Sequence, residues 1–95
     1  MDISISGNKV TITGNIKSIQ DYQVIKTTLD ELSQTQQSIV LEIKDSISIT
    51  SSVIGYFNKL VLKDKIKLQI KVGNPQLMEL FEDLNLVDLF HVTKA

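Results

Sequence analysis

The chain of 95 residues contains no cysteine, no tryptophan and no arginine, and only one histidine and one proline. Without cysteine there is no disulfide, no thiolate metal site and no cysteine nucleophile. His91 alone cannot build a histidine metal cluster. All ten basic residues are lysines, set against eleven acidic ones for a net charge of −1. That balance lacks the basic field that draws nucleic acid. No apolar run approaches the roughly 20 residues of a membrane-spanning helix, so no membrane insertion is expected. The opening Met1-Asp2-Ile3-Ser4 has no basic stretch followed by an apolar one and does not read as a signal peptide. The expected location is the cytoplasm.

What is present suits one domain over residues 1–95. Apolar residues make up 42% and charged residues 22%, an ordinary globular balance. Area scaling gives a folded surface of roughly 5,500 Å², with about 64% of the unfolded surface buried, enough for one modest core.

Periodicity divides the chain. Asp2 to Ser6 and Lys9 to Thr13 alternate apolar and polar residues on either side of Gly7-Asn8, which predicts a hairpin with a two-residue loop. Ser18 and Asp21 resemble a capping box at a helix start. Ile19, Tyr22, Ile25, Leu29 and Leu32 then form one stripe, with the helix ending between Ser33 and Gln36. Ser38 to Ile43 reads as a strand and Lys44 to Thr50 as a loop. A second helix starts near Ser51 or Ser52, with the stripe Val53, Ile54, Phe57, Leu60 and Val61. Lys67 to Val72 is the cleanest strand. Asn74 as N-cap and Pro75 as first residue open a third helix, with Leu77, Leu80, Phe81 and Leu84 as its stripe. Asn85 suits a left-handed helix end, with Leu86 folding back on Phe81. A short segment around Asp88 to Val92 closes the domain.

The order is β-β-α-β-α-β-α. Strands joined through helices should be parallel. Their alternation leaves one polar face, bearing Lys9, Thr11, Thr13, Glu42, Lys67, Gln69 and Lys71, so the helices belong on the other face alone. The expected fold is a two-layer α/β sandwich with a mixed four- to five-stranded sheet.

Catalytic patterns are scarce. No Gly-x-Ser-x-Gly elbow, Walker spacing or dinucleotide fingerprint occurs. No set of residues converges on a reaction and no cofactor is implied, so an enzyme is the weakest reading. His91 reads as structural or surface. The one unusual stretch is Thr50-Ser51-Ser52-Val53-Ile54-Gly55, small hydroxyl residues gathered at a helix start. Capping by Thr50 or Ser51 accounts for it simply. The functional alternative is phosphorylation of a first-turn serine, where the helix end tolerates an anion. Gly55 costs the helix about 1 kcal/mol against alanine, which suggests close approach by something. Tyr56 lies off the apolar stripe and is expected on an exposed contact surface. No arginine exists to neutralise a phosphate, and the lysines nearest in sequence lie later in the second helix.

These features resemble the STAS domain, the family of sulfate-transporter and anti-sigma-factor-antagonist domains, over nearly the whole chain. Val40-Leu41-Glu42-Ile43 matches the family's Val-Leu-Asp-Leu strand. Thr50-Ser51-Ser52-Val53-Ile54-Gly55 stands where the family has Asp-Ser-Ser-Gly-Leu-Gly, with Thr50 for the aspartate and Val53 for the first glycine. Asn85-Leu86-Val87-Asp88-Leu89-Phe90 matches Gly-Leu-x-x-Leu-Phe. The resemblance implies a partner-switching protein in the regulation of transcription. Its implied partners are an anti-sigma factor that is also a serine kinase and a PP2C-type phosphatase. The implied phosphorylation site is Ser52, and the implied partner-binding residues are Thr50, Ser51, Ser52, Val53, Gly55 and Tyr56. Some members instead act as constitutive subunits of lipid-transport ABC complexes, a competing expectation. A weak homodimer is compatible with either.

Overall fold

Gly7 takes φ 61° at the first position of the two-residue turn, where a left-handed residue matches the twist of the flanking strands. The turn joins strand β1, Asp2–Ser6, to β2, Lys9–Thr13. The two pair antiparallel with Ser6 opposite Lys9. The structure, a computed structural model, describes residues 1–95. Helix α1, Ile19–Ser33, leads to β3, Ser38–Ile43. Helix α2, Ser51–Asn58, runs on into a π-helical turn, Lys59–Lys63, and then to β4, Lys67–Val72. Helices α3, Pro75–Asp83, and α4, Val87–Phe90, precede β5, Val92–Lys94.

The sheet order is β1-β2-β3-β4-β5, with β2 to β5 mutually parallel. Each parallel strand is thus added beyond the one before it. With the right-handed crossovers that strand twist favours, such a sheet keeps its helices on one face. Burial agrees. Val10, Ile12, Ile39, Leu41, Ile43 and Ile70 are fully buried, whereas none of Lys9, Thr11, Thr13, Glu42, Lys67, Gln69 and Lys71 is. On that polar face Lys9 Nζ pairs with Glu42 at 2.9 Å, which holds the Glu42 carboxyl below its ordinary range. At the far end of the core, Phe90 meets Phe57 and Phe81 edge-to-face, with ring centroids 5.9 and 6.3 Å apart.

The local signals act as their chemistry dictates. Ser18 Oγ accepts from Asp21 N–H, and the Asp21 carboxylate accepts from Ser18 N–H, closing the capping box. Asn74 Oδ1 accepts from Gln76 N–H at 2.8 Å with Pro75 first in α3. Asn85 is left-handed at φ 57°, and Leu86 N–H donates to Phe81 carbonyl at 2.9 Å. That is the bonding of a Schellman end.

Four expectations need correction. Ile19 is 73% exposed and Leu84 47% exposed, so neither joins its stripe. Both sit at helix ends, Ile19 as the first residue of α1 and Leu84 just past the last of α3. The closing segment is a short helix and a fifth strand, so the order β-β-α-β-α-β-α gains a final α-β. Its strand has only three residues, too few for alternation to show. Tyr56 is 4% exposed and belongs to the core.

Candidate functional site

The loops that follow β2 and β3 leave the same end of the sheet, because those strands are parallel. Side chains of the second loop tie the two together. Asp45 Oδ1 accepts from Gly14 N–H at 2.6 Å, and Ser46 Oγ accepts from Ile16 N–H at 3.0 Å while donating to Ser48 carbonyl at 2.7 Å. Asn15 Oδ1 returns the contact by accepting from Ile47 N–H at 3.1 Å. Ser46 is the one fully buried polar side chain of the domain, and it is satisfied on both sides. Ile16 and Ile49 anchor the two loops in the core. The starts of α1 and α2 are therefore held side by side.

Thr50 settles the question of the cap. Its Oγ1 accepts from Val53 N–H at 3.3 Å, so capping is done by Thr50 and not by Ser51. Ser51 and Ser52 are exposed, and their hydroxyls make no hydrogen bond within the chain. Gly55 lies one turn further on, also exposed. A Cβ built there meets nothing within 4 Å, so no close approach inside the domain explains the glycine. Lys17, Ser18, Ile19 and Tyr22 of the first loop and helix share a shallow depression of about 110 Å³ with Thr50 and Ser52. Ile47, 50% exposed, stands in the loop leading to α2.

Of the six residues expected to bind a partner, the structure thus gathers Ser51, Ser52 and Gly55 on one open surface, with Thr50 half-buried beside them. Val53 and Tyr56 are buried beneath it and do not reach that surface. Tyr56 instead joins α2 to α1. Its hydroxyl donates to Asp30 Oδ1 at 2.6 Å, with the Lys26 carbonyl at 3.3 Å. Lys26 and Lys59 lie 6.0 and 5.8 Å from its ring centroid, and Lys26 Nζ pairs with Asp30 at 2.9 Å. The tyrosine hydrogen bond is the largest influence holding the Asp30 carboxyl below its ordinary range. Burial, then the bonded carboxylate, push the phenol well above its own. The group stays protonated and acts as a clasp.

One further correction concerns the surroundings of Ser52. Lys17 lines the depression with Ser52, whereas the lysines nearest that serine in sequence lie later in the chain. Lys17 was not singled out by sequence, and Ile19, read there as part of the apolar stripe of α1, lines this depression instead.

His91 is exposed at the left-handed end of α4, with φ 50° and Nδ1 3.1 Å from the Leu68 carbonyl. A carbonyl only accepts, so Nδ1 carries the proton there. No three His, Asp or Glu side chains stand close enough to hold a metal ion. No helix is long and apolar enough to cross a membrane. No protein-family model matches the chain, and no curated protein matches it either.

Proposed function

We propose that this chain is a non-enzymatic protein-binding module that docks through the start of α2 and is switched by phosphorylation of Ser52, in the manner of the STAS-type anti-sigma-factor antagonists it resembles. The observation that carries the reading is Gly55. It lies within a helix, exposed, with no neighbour in the domain that a side chain would disturb. A glycine there weakens the helix by about 1 kcal/mol, and what it supplies is a flat patch for another surface to approach. Ser51 and Ser52 stand a turn away, uncommitted to the fold.

The departures from the family's motif fit the same reading. Threonine caps a helix as aspartate does, and Thr50 does so. Val53 points into the core, so its bulk does not stand between the domain and a partner. A phosphate on Ser52 would bring about −1.5 to −2 charge to the helix start. The dipole tolerates it there, so the domain stays folded. The partner meets a changed surface, with Ile19 exposed across the shared depression and a dianion in place of a hydroxyl.

The test combines intact-mass analysis of the protein isolated from its own cells with calorimetric titration of the captured partner. The mass should show a single phosphate, mapped to Ser52. Ser52→Ala should bind as the unmodified protein does. Ser52→Asp should bind at least about 30-fold more weakly, the equivalent of about 2 kcal/mol. Equal affinity for the two folded variants and no phosphate in the cell would overturn the switch. With stoichiometric retention of an ATPase, that result would favour the constitutive subunit.

A further inference from the structure

The two edges of the sheet are unlike each other. β5 is three residues long and ends on Lys94, the short, charged kind of edge that resists pairing. β1 has five residues, Asp2-Ile3-Ser4-Ile5-Ser6, with no lysine, proline or glycine, and only β2 pairs with it. Ile5 is 51% exposed on it. An edge of this kind is a template for another strand.

We propose that the occupant is β1 of a second copy, paired antiparallel about a two-fold axis at Ser4. Three features point to self-pairing. The sequence is a pseudo-palindrome about Ser4, so Ile3 meets Ile5 of the second copy, Ile5 meets its Ile3, and Ser4 meets Ser4. The hydrogen-bonding phase also matches. In a two-residue hairpin the residues flanking the turn exchange both backbone bonds, and the outward groups belong to the alternate residues. Ser6 flanks the turn opposite Lys9. The outward N–H and C=O groups are therefore those of Ile3 and Ile5, the two residues this register sets face to face. Four inter-strand hydrogen bonds form, with Ser4 against Ser4 as the non-bonded pair between them.

Charge is the third feature. Asp2 falls opposite Ser6 of the second copy, with Lys9 the next residue across on the same face. Strands lie about 4.8 Å apart, so this lysine, two strands away and paired with Glu42, is no direct partner of Asp2, but no like charges are opposed in the register. On the helix side the four isoleucines Ile3 and Ile5 form one apolar stripe continuous with Val10 and Ile12, their neighbours on β2. The product is a ten-stranded sheet with both α2 starts left open, so self-pairing does not depend on the docking reading above.

The contact is small, and its strength should be that of a weak dimer. Sedimentation equilibrium from about 10 µM to about 1 mM should show the average mass rising from one chain towards two. Ser4→Lys and Ser4→Asp, each alone, should sediment as folded monomers, because like charges then meet on the axis. A one-to-one mixture of the two should regain the association, since lysine then faces aspartate. Gly55→Lys should associate as the unmodified chain does. A monomer at the highest concentration would overturn the proposal. So would undiminished association of Ser4→Lys, or a mixture of folded variants that fails to regain it.

Discussion

Replacing Gly55 by alanine should make the domain more stable. The backbone at Gly55 is ordinary right-handed helix, since its φ is not positive. The added methyl group meets no atom within 4 Å, so it brings neither strain nor burial. What remains is helix propensity, worth about 0.8–1 kcal/mol in favour of alanine. Unfolding entropy near about 2.1 cal/mol/K per residue makes that gain about 4–5 °C in Tm for a domain of this length. A calorimetric melt and a urea titration both read it. The companion variant Gly73→Ala should move the other way, because its Cβ would collide with the Lys44 carbonyl oxygen where β4 gives way to α3. A loss of about 2–4 kcal/mol is expected there. Gly73 is thus required by the fold and Gly55 is not. A Gly55→Ala protein of unchanged or lower stability would show a structural need for the glycine and would remove the main support for a docking surface.

Leu41→Ala opens a cavity at a fully buried position of the central strand and should cost about 2–5 kcal/mol, while Gln69→Ala on the open face should be near neutral in urea melts. Tyr56→Phe removes the hydrogen bond to Asp30 and should cost about 1–2 kcal/mol at pH 7. Because that bond lowers the folded-state pKa of Asp30, its stabilisation is present above the unfolded carboxyl value and fades as pH falls through the depressed one. The gap between the two proteins should therefore narrow from pH 5 towards pH 2 in a series of urea midpoints; a constant gap would detach the clasp from the carboxylate. Thr50→Val should cost about 1 kcal/mol by loss of the cap, and Ser51→Ala close to nothing, since Thr50 alone bonds the first turn.

Much of this architecture was legible because the signals were local. Alternation gave β3 and β4 their bounds, Ser18 with Asp21 marked the start of α1, and Asn74-Pro75 and Asn85 marked the two ends of α3. The misses came from contacts distant in sequence. Tyr56 lies off its stripe, yet a hydroxyl partner on α1, 26 residues earlier, allows it to be buried. Ser46 reads as loop surface, yet two backbone partners, one of them 30 residues away, make it core. β5 exists because β4 offers it an edge, not because three residues carry a pattern. The π-helical turn closes on Asp64 N–H to Lys59 carbonyl at 3.0 Å, a widening that no residue there announces. At the candidate surface the sequence located Ser51, Ser52 and Gly55. It could not tell which of Thr50 and Ser51 caps, nor that Lys17 and Ile19 fold in beside Ser52.

If a partner docks on the start of α2, Gly55→Lys should block it. A lysine there projects from an exposed helical position into open space, so far-UV circular dichroism and the urea midpoint should match those of the unmodified domain. Capture from the protein's own cells, followed by titration with the purified partner, should show binding lost or weakened at least about 100-fold, the equivalent of about 2.7 kcal/mol. Full affinity in the folded Gly55→Lys protein would contradict the account and place the interface elsewhere.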